Sequence, residues 1–399
     1  MFLLHKVLIS MAFLHMALIV MLAAGTALAS EPLRRIGNDS AAGMSEVVIV
    51  PNLTTWHTSR IVATPDINGK RSTGVDEQLR SILETLVAGT HSIEANLLDV
   101  ARLNISLVNA NDSATVREEL EVHFSEGHRP VVTIVGSQMP EPDVLIAVDA
   151  FGVVKAPPRT VPDGLIRPRA ICPPGPKVYI SGKAAPGDLA TATRDTLKQI
   201  DDSLQHLGLS KSDIVQLRAF VSNVSEIEAF HREVRTYFGD HSLPAVTFTQ
   251  WISSGYPVEI EAVVQDTSGK PATEIEFITP PGETASPVFC RVVRVPAGPL
   301  IYTTGLTGDP GTDSAAQVSR IFERLQPILE RSGSDLRHLA KATYFCADDA
   351  SSTALNALRP TLYDPDRPPA ASKAMVTHIG LPDRVISVDW IAVPTNSLQ

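Results

Sequence analysis

Residues 243–264 read LPAVTFTQWISSGYPVEIEAVV, two strand-like runs around a Gly255-Tyr256-Pro257 turn. In the second run Glu259 and Glu261 stand two residues apart, the spacing that puts both carboxylates on one face of a strand. An acid so placed can do acid–base work on a ligand when a cleft brings a cation and a backbone carbonyl beside it. Otherwise a strand glutamate faces solvent or a neighbouring arginine, the usual state of that residue. Other chemistry-bearing patterns are missing. There is no Gly-x-Ser-x-Gly or His-Glu-x-x-His motif, and the NGKRS run at 68–72 has Thr64 where a phosphate loop requires glycine. His123 and His128 lack a third ligand that would complete a metal site, and no cofactor is implied.

The elements that must position these acids belong to a chain of 399 residues, long enough for two or three domains. It is 44% hydrophobic and 20% charged, ordinary for a globular protein. Residues 1–29 hold one early charge, Lys6, an apolar run from Val7 to Ala24 and a small-x-small Ala27-Leu28-Ala29 site. That is the pattern of a secretory signal peptide, with an uncleaved anchor as the alternative, and it predicts a periplasmic or secreted protein. Because Lys6 is the only formal charge there, cleavage takes the net charge from -10 to -11. Such an acidic surface excludes nucleic acid as a favoured partner, since phosphate-backbone binding needs clustered Lys and Arg. Cleavage would also leave no membrane association. Cys172, Cys290 and Cys346 make at most one bridge within the chain, and their apolar surroundings favour buried free thiols.

An internal repeat organises the rest. In REELEVHFSEGHRPVVT (117–133), HREVRTYFGDHSLPAVT (231–247) and NALRPTLYDPDRPPAAS (356–372), an aromatic (Phe124, Phe238, Tyr363) precedes a proline by six residues (Pro130, Pro244, Pro369). A hydroxyl residue follows three further on (Thr133, Thr247, Ser372), and the copies are offset by 114 and then 125 residues. The same offsets superpose the strand-like runs 100–107, 214–221 and 339–346. Each is preceded by an amphipathic helical pattern: Leu79, Ile82, Leu83 and Leu86; Leu197, Ile200, Leu204 and Leu207; Ile321, Leu325 and Ile328. Gly89, Gly208 and Gly333 are placed as left-handed helix caps, and Pro327 predicts a kink or early break in the third helix. Ahead of each helix comes a strand pair, VVIVPN with RIVATP in the first copy, and after the Pro-x-x-hydroxyl run comes a last strand holding an acid (Asp149, Glu261, Asp389). Each copy therefore reads ββαβαββ, an α+β layer with helices on one face of a sheet, at 44–154, 168–268 and 286–395.

These segments, above all VYISG, DIVQLRAFVSN, FHREVRTYF, LPAVTF and VEIEAVV of the second copy, resemble the RidA/YjgF (reactive intermediate deaminase, endoribonuclease L-PSP-like) family. The resemblance implies a chorismate-mutase-like fold and a homotrimer with a central barrel and three clefts between subunits. Three copies in one chain then make an intrachain pseudo-trimer that is itself a monomer. The family hydrolyses enamines and imines such as 2-iminopropanoate, without metal or organic cofactor. A family arginine in the Pro-x-Arg-Ser/Thr run takes the substrate carboxylate, and a last-strand glutamate positions water. Glu259 falls on that glutamate, with Ala147 and Ser387 as its counterparts, whereas the arginine is replaced by Val132, Val246 and Ala371. Ligand-binding positions carried over are Ser181 with Gly182, Thr304 with Gly305, and His231 and Asn356 on the second helix, where the first copy has Arg117. Lys373, two residues after Ala371, and Arg129 and Arg367, ahead of the prolines of their runs, are the local substitute cations, and each otherwise reads as a solvated or rim charge, the usual state of Lys and Arg. Two functions follow. One is a RidA-like binding protein whose inter-unit clefts take a small molecule or a partner protein; the other is an enamine/imine deaminase active in one cleft through Glu259.

Overall fold

The computed structural model describes residues 33–39 and 43–395 except 159, 163, 240, 253, 254 and 271, so the signal-peptide reading lies outside the described residues. The described residues from Leu33 onward form one unit. Up to Val154 the chain forms β1 (Arg34–Asp39), β2 (Met44–Val50), β3 (Thr54–His57), β4 (Ile61–Val62), α1 (Val75–His91), β5 (Val100–Leu107), α2 (Ser113–His123), β6 (Val131–Gly136) and β7 (Ile146–Val154). There follow β8 (Ile171–Cys172), β9 (Lys177–Ala184), α3 (Leu189–His206), β10 (Ile214–Val221), α4 (Ile227–Phe238), β11 (Ala245–Gln250) and β12 (Val258–Gln265). The last stretch holds β13 (Glu276–Ile278), β14 (Val292–Val295), β15 (Leu300–Thr303), β16 (Leu306–Thr307), α5 (Ser314–Ser332), β17 (Leu339–Cys346), α6 (Asp349–Leu362), β18 (Ala370–Met375) and β19 (Ile386–Ala392).

The strands make three mixed sheets. The first runs β6-β5-β7-β3-β8 with β4 on β7, the second β11-β10-β12-β9-β14-β13, and the third β1-β2-β15-β19-β17-β18 with β16 on β19. The expected pairing within each initial strand pair does not form. Instead β2 joins β15, β8 joins β3 and β14 joins β9, so each first strand extends the neighbouring sheet. The links explain this: they contain Pro51, Pro173, Pro174, Pro176, Pro296 and Pro299. Proline fixes φ and donates no hydrogen bond, which is incompatible with the glycine-rich two-residue turns of a tight hairpin. In the first copy the second strand also begins earlier than RIVATP, at Thr54, and breaks before β4.

Register repeats from sheet to sheet. Leu103 pairs Val132, Leu217 pairs Val246 and Ala342 pairs Ala371, while Ser106 pairs Ala147, Phe220 pairs Glu259 and Phe345 pairs Ser387. Helices cover one face of each sheet, and the apolar stripes of α1, α3 and α5 pack into three cores. A fourth core draws Val48, Val153, Tyr179, Val293, Tyr302 and Ile391 from the opposite faces of all three sheets. Every residue of β10 and β17 is consequently buried. The three cysteines are buried and free.

Two helix expectations change. Of the kink or early break expected at Pro327, the early break does not occur: helix α5 continues to Ser332, because the buried face of Ile321, Leu325, Ile328 and Leu329 outweighs the roughly 3 kcal/mol that an interior proline costs. Gly208 and Gly333 take left-handed φ values of +74° and +81°, as caps do, but Gly89 stays inside α1. A Cβ on Gly89 would stand 2.5 Å from Leu165 Cδ2, so this glycine serves close packing.

Candidate functional site

Each repeated acid is spent on a contact between sheets. Lys341 Nζ of β17 donates to Glu261 of β12 at 2.6 Å, and Ser372 Oγ of β18 donates to the same carboxylate at 2.5 Å. Arg102 of β5 pairs Asp389 of β19, which also accepts from Thr133 Oγ1 at 3.1 Å. In the third junction the position of Arg102 and Lys341 holds Gln216, and Arg218, two residues on, reaches Asp149 at 3.4 Å. There the repeated hydroxyl, Thr247 Oγ1, is buried without a partner. The period-2 pair is thereby divided: Glu261 ties two sheets together, and Glu259 is left for the cleft beside it.

That second cleft, of about 360 Å³, lies between the second and third sheets and is lined by Gly182, Glu259, Arg359, Ala371, Ser372 and Lys373 among others. Strand β12 aims Glu259 across Gly182, where a Cβ would come within 2.0 Å of Glu259 Oε1. Oε1 is buried without a hydrogen-bond partner. Burial, and then the charge of Glu261, push the Glu259 carboxyl up to about 8, against the pull of Ser372, Lys341 and Lys373. Lys373 Nζ donates to Ser352 Oγ at 2.9 Å and to Asn356 Oδ1 at 3.2 Å, and Arg359 donates to the same Asn356 oxygen at 2.7 Å. Burial lowers the Lys373 ammonium, while Glu259 raises it. Helix α6 thus uses one amide to hold two cations at the mouth of a cleft whose acid is largely protonated at neutral pH. The arrangement can take an anion on the cations and exchange a proton at Glu259.

The remaining sequence-derived positions are distributed. Ser181 sits at the edge of this cleft with its hydroxyl consumed, donating to Cys290 O at 2.5 Å and accepting from Ala371 N at 2.7 Å. Thr304 and Gly305 line a third cleft of about 520 Å³ with Arg117; Thr304 Oγ1 donates to Val132 O at 2.6 Å. His231 lines the first cleft, between the first and second sheets, and does not meet Glu259. Arg129, read as a rim charge, is buried. Its carbonyl accepts from Ser45 Oγ at 2.7 Å and Arg35 Nε at 3.0 Å, which draws the residue under β1 and β2. Arg367 is half-buried over the Phe277 ring, 5.3 Å from its centroid.

Sequence reading missed Arg359, although its i, i+3 relation to Asn356 on a helix signals a shared face. It also missed Ser59 and Arg60. Ser59 Oγ accepts from Val246 N at 3.1 Å, the role Ser181 and Thr304 play at the other junctions, so Arg60 stands where Gly182 and Gly305 stand elsewhere. Among the described residues no group of three or more His, Cys, Asp or Glu is placed to hold a metal ion.

The three mixed sheets, each with helices on one face, define an α+β scaffold with clefts where the sheets meet. The Endoribonuclease L-PSP family model matches residues 169–265 and 284–394, together more than half of the chain. The chain belongs to this family, the RidA/YjgF family. The matched stretches carry Ser181, Gly182, His231 and Glu259 in one and Thr304, Gly305, Asn356 and Lys373 in the other. Protein DfrA of Myxococcus xanthus is 30% identical over 112 residues, 26% of this chain and 84% of the relative. Among solved structures, the YjgF-family protein NMB1025 of Neisseria meningitidis is 19% identical with a TM-score of 0.24, covering 31% of this chain and 98% of its own. The Rid-family protein YyfA of Yersinia pestis is 27% identical with a TM-score of 0.22, covering 28% and 93%.

Proposed function

We propose that this chain is an exported, covalent pseudo-trimer of RidA-like units that hydrolyses small carboxylated imines in its second cleft. The observation carrying this reading is Glu259, a raised-pKa acid with a buried, partnerless oxygen, sharing one cleft with Lys373 and Arg359. The cations replace the absent family arginine from another direction: Lys373 lies two residues past Ala371 on the same strand face, and Arg359 reaches in from α6. They hold the substrate carboxylate. Protonated Glu259 gives its proton to the imine nitrogen. The resulting carboxylate takes a proton from the attacking water as the C–O bond forms, leaving a neutral carbinolamine. Glu259 then relays the hydroxyl proton to nitrogen, and the C–N bond breaks to give a ketone and ammonia. The repeated register and the ion pairs that cross every junction support a chain that supplies all three subunits by itself and acts as a monomer. The residue 1–29 pattern supports export, and a net charge of -10 favours a small molecule over nucleic acid.

The test is hydrolysis of freshly generated 2-iminopropanoate by the mature chain. A rate above background that disappears in Glu259→Gln, and a KM raised tenfold or more in Lys373→Met with a smaller change in kcat, is the expected result. A flat trace for the parent chain removes this activity on that substrate and leaves the second reading, ligand binding without turnover, which the consumed hydroxyls of Ser181 and Thr304 favour in their clefts.

A further inference from the structure

Apart from the clefts, a small polar cavity of about 40 Å³ lies among the three sheets. Each sheet supplies one of its cations: Arg102 of β5, Arg218 of β10 and Lys341 of β17. The register fixes what faces them. His57 pairs Phe151, Tyr179 pairs Val263 and Tyr302 pairs Ile391, in each case the rung two residues past the repeated acid. His57, Tyr179 and Tyr302 therefore line one layer of the cavity.

The acceptors of this layer are consumed. Glu261 and Asp389 take the bonds that cross their junctions, and Asp149 accepts from Asn104 Nδ2 at 2.7 Å as well as pairing Arg218. Two polar atoms are left over. His57 Nδ1 is buried without a hydrogen-bond partner, and Tyr179 Oη, with Tyr302 as its neighbour, makes no hydrogen bond either. Leaving such groups dry is costly, so a small guest belongs between them.

The field selects the charge of that guest. Each lining cation has a carboxylate at its junction, but Lys177, two residues before Tyr179 on the same strand face, does not. Lys177 is buried and donates to Gly175 O at 3.3 Å, and among the described residues no carboxylate stands within ion-pair distance of it. Burial, then Lys177, Arg218 and Arg102, push the His57 imidazole down to about 3, so this ring faces positive charge and stays neutral. A neutral imidazole and a phenol can each donate a hydrogen bond. The surroundings repel a cation, and the volume admits a monatomic ion with a water or two. His57 and Tyr179 also belong to the first and second sheets, whose junction has Gln216 in place of Arg102 or Lys341. Its ion pair, at 3.4 Å, is longer than the 2.6 Å of Lys341–Glu261.

We propose that this cavity is a halide site, in which one chloride accepts from Tyr179 and His57 beside Arg102 and Arg218 and so bridges the first and second sheets. The site is independent of the chemistry in the second cleft.

Thermal unfolding of the mature chain is followed at constant ionic strength while sodium gluconate, whose anion is too large for the cavity, is replaced by sodium chloride. The melting temperature should rise by roughly 1–3 °C and level off. Tyr179→Phe, which removes one hydroxyl and keeps the ring, should lose most of that rise. Crystals grown with bromide in place of chloride should show an anomalous bromine peak within hydrogen-bond reach of Tyr179 Oη and His57 Nδ1, a measurement that stands whether or not the variant folds. No chloride response in the parent chain, an equal response in Tyr179→Phe, or a cavity holding water alone in the bromide crystals overturns the proposal.

Discussion

Glu259 and Glu261 differ by two positions and by almost everything else. Glu261 is paired by Lys341 and Ser372, whereas Glu259 has no cation bonded to it and lies against a glycine. Burial therefore raises one carboxyl from the usual 4.5 to about 8. A folded-state pKa raised above the unfolded value means that the folded chain holds this proton more tightly. The resulting stabilisation is fully present below about 4.5 and is lost as pH rises through about 8. Glu259→Gln should match the parent in stability at pH 4 and exceed it at pH 9 by up to roughly 5 kcal/mol, read from urea unfolding at both values. An identical difference at the two pH values would show that Glu259 is an ordinary exposed acid. In the hydrolysis assay the same ionisation should make the rate decline above about pH 8, since the proton donor is lost.

At the scale of elements, β9 and β12 show how a strand pair makes a site by omission. Gly182 has an ordinary φ and is needed for space, because its missing side chain is where Glu259 passes. Gly182→Ala should cost under about 1 kcal/mol in thermal unfolding, since the displaced atoms end a flexible chain, yet lower turnover tenfold or more by moving the carboxyl. Equal loss of stability and activity would instead point to a structural glycine. Helix α6 makes the complementary contribution, with Asn356 and Arg359 on one face and Lys373 brought to them from β18.

Across the whole molecule, buried ion pairs join the three sheets in a cycle: first to third through Arg102–Asp389, third to second through Lys341–Glu261, second to first through Arg218–Asp149. Removing one partner strands the other charge in a dry interior. Lys341→Met should therefore cost about 3–5 kcal/mol by urea unfolding. Adding Glu261→Gln, which keeps an acceptor for Ser372, should restore most of that loss. A double variant as unstable as the single would mean that packing at Lys341, rather than charge, holds this junction.

The triplicate register, the α+β class and the position of Glu259 were legible because they are local: periodicity of two and 3.6 and constant offsets depend only on neighbours along the chain. Pro327 does not end its helix because a buried apolar stripe outweighs the propensity rule, and Gly89 misled because close packing and a left-handed cap call for the same residue. The exchange of β2, β8 and β14 between sheets was not legible, since either partner satisfies the same backbone groups and only the proline-bearing links and the shared central core select one. The site divides the same way. Sequence alone singled out Glu259, Lys373 and Asn356 as candidates. Tertiary structure decided which of them meet, sending His231 and Thr304 to other clefts and bringing in Arg359 and Arg60, because a cleft between sheets is set by long-range packing that no local pattern encodes.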